Sequence, residues 1–481
     1  MYCPNWSADT QTVVLEHERV LAASQLAQFF GVKPGMRRAG ALMLAPELRL
    51  HPRSPELEAQ ALQEVALALL QYSPQVASAE DATLLVDVGA SLRLFGGVRA
   101  LCRRMRASLR ALGYTAALSC APTARGAWLL ARARPAMRRN RVLRMAGLVR
   151  QLDTLPCTLL PPALPYMDWL DGIGCRTLGQ LRQLPRPGLQ RRCGRTLLDM
   201  LDDAHGHGTE LFAWIEAPPT FRASLELFDR VESADALLFG AQRLLQQMVG
   251  WLCARQLAVE RIALLLAHER GRVARAPTVI TLALGEAVWR DDHLLRLLKE
   301  KLAQLVLDAP VIGLSLEALQ VLPMAPASES LFPEPGGSAQ DRQRLFELLV
   351  ARLGPDNVLQ AAPQADYRPE AANRWLPVPT RPAGRKMGAE LPPGLPELPR
   401  PGWLLAEPIA LLMREHRPFY GSPLKMVSGA ERIEAGWWGQ SQARDYFIAE
   451  GSDHAHYWVY RERVAGSADA APRWYLHGLF S

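Results

Sequence analysis

Residues 222 to 322 carry the pattern that most narrows what this chain can fold into. The runs RASLELFDRV, VERIALLLAHE, TVITLALGEAV and VIGLSLEALQVL read as strands, and two amphipathic stretches, Ala234 to Arg255 and Asp292 to Leu307, read as helices. The order is βαββαβ, and both helices are apolar along one stripe. They can therefore cover one face of a single sheet, which predicts a separate small domain.

The segment QTVVLEHERVLAA, residues 11 to 23, reads as a strand entering a helix that runs through SQLAQFFG and stops at Gly31. Leu57, Ala61, Leu62, Val65, Ala66 and Leu69 recur at helical spacing. A strand over 83–88, a basic helix over 97–112, a strand over 114–120 and a helix over 122–133 complete a layered α/β region. At 170–185, LDGIGCRTLGQLRQLP places two short apolar helices around Gly172-Ile173-Gly174, with Arg176 beside them. Such glycines let backbone amides approach a DNA phosphate, as in a helix-hairpin-helix; the alternative is an ordinary helical hairpin.

Proline and polar residues dominate from Pro323 to Pro401, around one helical stretch, AQDRQRLFELLVARLG. This predicts a linker holding a short helix. Residues 403–481 hold five of the twelve tryptophans among strand-like runs, which predicts a compact β-rich module. The expected fold class is multi-domain α/β, with units at 1–150, 151–215, 222–322, 323–402 and 403–481. A length of 481 residues accommodates that many cores.

No uncharged apolar run approaches the length of a membrane span, and MYCPNWSADTQ lacks the order of a signal peptide, so a cytoplasmic chain is expected. Seven scattered cysteines without a CxxC pair argue against a disulfide framework or a zinc site. His454 and His456 read as strand-edge residues, so no metal or other cofactor is expected. The net charge is +7, yet between Asp87 and Asp153 stand fourteen arginines and no acid, leaving the rest of the chain at −7. Arginine forks grip phosphate, and this region, including Arg103, Arg104, Arg106 and Arg110, reads as a nucleic-acid face rather than as solvated helix surface.

The stretch VASAEDATLLVDVG sets Glu80 and Asp81 before an apolar strand and Asp87 within it. These acids read either as metal-binding carboxylates or as the relic of such a site.

RVLAASQLAQFFGVKPGM, VDVGASLRLFGG, ERIEAGWW, DYF, YWVYRER and WYLHGLF, together with the order of the elements, resemble the ImuB-like branch of the Y-family translesion DNA polymerases. The resemblance implies palm and fingers, a helix-hairpin-helix thumb and a little finger. Active members hold two Mg²⁺ ions through carboxylates. Their Asp-Glu pair falls here on Ala82 and Thr83, and Glu80 and Asp81 lie one or two residues too early, on the wrong strand face unless a bulge intervenes. The first metal-binding Asp belongs to an N-terminal strand that should precede TVVLEHERV, where MYCPNWSADTQ offers only Asp9 in a polar context; either the sequence begins late or the strand has gone. The triphosphate-touching Tyr and Arg are replaced by Gln25 and Gln28, and the corresponding Lys by Ala124.

The resemblance therefore implies no catalytic residues. It implies a DNA-binding adaptor in SOS-induced error-prone synthesis, reaching primer-template DNA, the β sliding clamp, ImuA and an error-prone C-family DNA polymerase. The alternatives are an active polymerase with a displaced metal site, and an assembly platform that keeps only the fold. Clamp binding is expected at Leu331 and Phe332 of ASESLFPE, where Ser328 and Glu329 depart from the usual motif, or at Gln343, Leu345 and Phe346 of QRLF. Trp437, Trp438, Tyr457, Trp458, Tyr460 and Trp474 read as anchors for ImuA or the partner polymerase, or as the module's own core.

Overall fold

The computed structural model describes residues 10–133, 141–269, 275–324, 339–364, 366–378, 398–435, 442–463 and 473–480. The chain divides into two compact units, Met1–Gln340 and Asp341–Ser481. Helices and sheets are mixed in the first, and the second is β-rich.

The first unit opens with β1 (Thr12–Glu16) and β2 (Arg19–Ala23), an antiparallel pair. This differs from the expected strand-to-helix passage, because His17 and Glu18 take positive φ of 46° and 60° and reverse the chain. After α1 (Gln25–Phe29) and α2 (Arg38–Leu44), β3 (Arg49–Pro52) joins β1 in parallel. Next come α3 (Pro55–Leu69), the β4 (Val76–Ala79) and β5 (Thr83–Val86) hairpin, α4 (Val98–Ala111) and α5 (Ala124–Arg132). The strand expected over 83–88 thus ends before Asp87. The one expected over 114–120 does not form, and Cys120 alone makes a bridge, to Arg141, among the described residues. A β-forming sequence becomes a strand only where a neighbouring backbone pairs with it.

A helical region follows: α6 (Met145–Leu152), α7 (Met167–Gly172), α8 (Leu178–Gln183), α9 (Arg186–Cys193) and α10 (Arg195–His205). Trp128, Leu129, Leu148, Leu170, Leu181 and Leu201 share one core. The boundary expected at residue 150 falls inside that core, because α5 and α6 turn their apolar faces onto the later helices.

The βαββαβ order is present as β6 (Arg222–Val231), α11 (Leu237–Arg255), β7 (Leu257–His268), β8 (Thr278–Val288), α12 (Asp291–Ala303) and β9 (Val311–Pro323). The four strands form an antiparallel sheet in the order β6-β9-β7-β8. It is less separate than expected. The far side of α11 packs on α3, where Gly250 leaves so little room that an added Cβ would stand 1.8 Å from the Leu67 carbonyl oxygen. A polar chain, largely buried, joins α4 to α11 and to the start of α12. Tyr72 Oη is joined to Ser108 Oγ at 2.8 Å, Ser108 Oγ donates to Gln246 Oε1 at 3.1 Å, and Gln246 Nε2 donates to Asp291.

The second unit holds α13 (Ala339–Leu353) and the β10 (Leu359–Pro363) and β11 (Asn373–Pro377) pair, with α14 (Pro369–Ala372) between them. The stretch expected as a linker is therefore partly folded. The second unit continues with β12 (Trp403–Ala410), β13 (Leu412–Arg414), β14 (Arg417–Tyr420), β15 (Ser422–Pro423), β16 (Lys425–Met426), β17 (Glu431–Ala435), β18 (Gln442–Glu450), β19 (His456–Glu462) and β20 (Arg473–Leu479). Its main sheet runs β12-β20-β19-β18-β16, and β17 also pairs with β18.

Alternation along β18 and β19 feeds two cores. One face supplies Ala449 and Val459, and the other Tyr446, Trp458 and Tyr460. Trp458 is 2% and Tyr460 4% exposed, with Tyr446 stacked on Trp458 at 4.2 Å between centroids. The expectation that Trp458 and Tyr460 serve as surface anchors is corrected, because a small sheet needs large rings to fill its core.

Candidate functional site

The acids of VASAEDATLLVDVG stand on the β4–β5 turn, held there by strand pairing of Ala79 with Thr83. Asp81 and Ala82 take φ of 55° and 51°, and Thr83 Oγ1 donates to the Asp81 carbonyl at 3.3 Å. The turn is fastened to α5. Asp81 is ion-paired with Arg132, and Arg125 Nη1 lies 3.4 Å from Glu80 Oε2. Both guanidiniums also stack on the Trp128 indole, at 4.5 Å for Arg132 and 5.0 Å for Arg125, and Trp128 Nε1 donates to the Glu80 carbonyl at 3.4 Å. Asp87, just beyond β5, accepts the Gly89 N–H at 2.9 Å.

These residues do not fit a Mg²⁺ site. Such an ion needs carboxylate oxygens converging on one point, whereas each acid here is turned onto an arginine or a backbone amide. Among the described residues no group of three His, Cys, Asp or Glu side chains could hold a metal. His454 lies in a turn with its Nδ1 2.8 Å from Glu450.

The start of α5 bears a feature that sequence reasoning missed. Thr123 caps the helix by accepting the Gly126 N–H, and the Glu210 carboxylate accepts the N–H groups of Ala124 at 2.9 Å and Arg125 at 2.6 Å. The dipole and free amides of a helix start attract an anion, and here a side chain of the chain itself fills that role. Glu210 is 86 residues from Ala124, so no local pattern announces it. Gln28, another of the altered positions, donates to the Ala23 carbonyl at 2.8 Å. A cavity of about 950 Å³ adjoins the turn, walled by Leu84, Val86, Leu101, Leu118, Trp128 and Phe212. Asp81, Thr123, Arg132 and Glu210 line the same cavity.

The expected nucleic-acid residues fall into two groups. On α4, Leu101, Cys102, Met105 and Leu109 face the core, while Arg103, Arg104 and Arg110 are exposed and Arg106 is half-buried. None of the four forms an ion pair among the described residues, and Arg104 stacks over Phe95 at 5.4 Å.

The second group is the α7–α8 hairpin, which exposes Gly172, Gly174 and Arg176, with Gly174 at φ +74°. Its amides, however, are engaged. Gln180 Oε1 accepts the N–H groups of Arg176 and Thr177 at 2.9 and 3.1 Å, closing a capping box, while Leu178 and Gly179 donate to Leu155 and Asp153. A phosphate at this turn has to displace Gln180.

Of the clamp candidates, Leu331 and Phe332 lie outside the described residues. Leu345 is 54% exposed on α13, and Gln343 and Phe346 are half-buried. Among the aromatic candidates, Trp437 and Trp438 also lie outside the described residues, and Tyr457 and Trp474 are half-buried.

The impB/mucB/samB family profile matches residues 5–132. Over 473 residues the chain is 28% identical to Protein ImuB of Caulobacter vibrioides, in strains NA1000 / CB15N and ATCC 19089, spanning 94% of this chain and 100% of that protein. The similarity to ImuB thus extends along nearly the whole length of this chain. A Dbh ternary complex aligns with a TM-score of 0.37 and 16% identity, over 64% of this chain and 91% of that one. DinB from Sulfolobus solfataricus aligns at 0.35 and 16%, over 66% and 93%.

Proposed function

We propose that this chain is a non-polymerising, DNA-binding adaptor of SOS-induced translesion synthesis. The observation that carries this reading is the set of locked carboxylates. Asp81 and Glu80 neutralise the α5 arginines, and Glu210 occupies the amides at the start of α5, so metal and triphosphate lack the groups that polymerisation needs. The similarity to ImuB and the unpaired arginines on α4 support the DNA-binding half of the reading. Backbone contacts of this kind bind without sequence preference and weaken with salt.

In this reading the linker segment ASESLFPE engages the β sliding clamp, and the β-rich module holds ImuA or an error-prone C-family polymerase, which performs the synthesis in the cytoplasm. Primer extension by the purified chain with Mg²⁺ or Mn²⁺, beside a binding titration on the same primer-template, tests the proposal. Binding without extension is expected. Replacing Arg103, Arg104 and Arg106 with Glu should weaken binding and flatten its salt dependence. Extension that disappears in Asp81→Ala would overturn the reading and make those acids a working site.

A further inference from the structure

The main sheet of the second unit carries a charged row that none of the foregoing uses. Strand pairing sets Arg432 of β17 opposite Asp445 of β18, Asp445 opposite Arg461 of β19, and Arg461 opposite Trp474 of β20. Arg463, two residues beyond Arg461, reaches the same carboxylate. Arg432 Nε stands 2.9 Å from Asp445 Oδ1, while Arg461 Nη2 and Arg463 Nε stand 3.0 and 2.9 Å from Oδ2. The carboxylate is 1% exposed, whereas the three guanidinium side chains are 50%, 36% and 47% exposed. Burial works to raise the Asp445 pKa, but the three arginine hydrogen bonds prevail and hold it at about 2.

One guanidinium is enough to neutralise one carboxylate. Three arginines around Asp445 leave a positive surplus, and each side chain remains between a third and a half exposed. Among the described residues the one further acid within 4.0 Å is Glu434, which reaches Arg432. Asp445 therefore acts as a buried peg that orders three arginines in advance, which removes much of the entropy cost of gripping an anion. Arg461 also lies over the Trp474 ring at 6.0 Å, so the row ends on an indole.

We propose that this row binds single-stranded nucleic acid, with Arg432, Arg461 and Arg463 on phosphates and Trp474 against a base. Guanidinium forks match phosphate geometry, and an aromatic ring at the end of a cationic row suits bases of any sequence. An acidic peptide satisfies the charges but makes no use of the ring. The second unit would then hold an unpaired strand independently of the arginines on α4.

The test uses the full chain with a twelve-residue oligothymidine carrying 5-iodouracil, read by anisotropy and by mapping photo-crosslinked peptides. Crosslinks to the β18–β20 peptides are expected. Arg461→Gln and Arg463→Gln, made singly so that Asp445 keeps two partners, should each lower the slope of log affinity against log salt by about 0.7. Trp474→Leu, which keeps an apolar side chain against Phe447, should weaken binding about ten-fold, with an unchanged circular dichroism spectrum of that variant and of Arg461→Gln confirming an intact sheet. Crosslinks confined to the first unit, with salt slopes unchanged in both arginine variants, would overturn the proposal. So would a polyglutamate chain protecting β17–β19 from hydrogen exchange where oligothymidine leaves them unprotected, which would assign the row to an acidic protein segment.

Discussion

At the scale of single residues, two tryptophans of the second unit separate core from surface. Trp458 is closed between Tyr446, His477 and the Arg400 guanidinium, while Trp403 at the start of β12 is 73% exposed. Trp458→Ala should cost about 3–5 kcal/mol of unfolding free energy, and Trp403→Ala less than about 0.5 kcal/mol, as read by urea denaturation. His477 supplies a pH signature. Burial lowers its pKa from 6.5 to about 4, and its Nδ1 lies 2.8 Å from the Tyr446 hydroxyl, whose own pKa burial raises.

Between those values the unfolded chain binds a proton that the folded chain does not. His477 therefore contributes its full stability above about pH 6.5, and that contribution falls as the pH drops toward 4, by up to about 3 kcal/mol. Asp445 adds its own loss only below its unfolded value of 3.8. Urea midpoints at pH 7 and pH 4.5 should differ in the native chain and converge in His477→Gln.

At the scale of elements, glycine positions show which turns depend on backbone geometry. Gly172 and Gly174 both have open space where a Cβ would stand, but only Gly174 has positive φ. Gly174→Ala should destabilise the helical region by about 1–2 kcal/mol while Gly172→Ala is nearly silent, which thermal unfolding resolves. Gly250 depends on contact instead. Gly250→Ala drives a methyl group into the Leu67 carbonyl, so α11 has to leave α3. The expected result is a loss of about 1–3 kcal/mol and faster hydrogen exchange along α3 and α11.

The whole molecule adds a prediction about partners. If the linker carries the clamp contact, the Leu331→Ala, Phe332→Ala double variant should lose β-clamp capture in a pull-down while Leu345→Ala keeps it. Retained capture in the double variant would move the contact elsewhere.

Much of the architecture was legible in the sequence because apolar periodicity is local: the βαββαβ order, the glycine hairpin and the β-rich end all follow from spacings within one element. The resemblance placed the family's carboxylate pair on Ala82 and Thr83, and the structure sets both at the β4–β5 turn. Contacts between distant residues were not legible. Glu210 on the α5 amides, Arg132 on Asp81, α11 on α3 and three arginines around Asp445 each join segments that no local pattern links. The sequence by itself determined most of the helices and strands, though not the β1–β2 hairpin or the unpaired run over 114–119. Only the tertiary structure decided where each remaining charge is neutralised, because a buried or crowded ion must find its partner in space rather than along the chain.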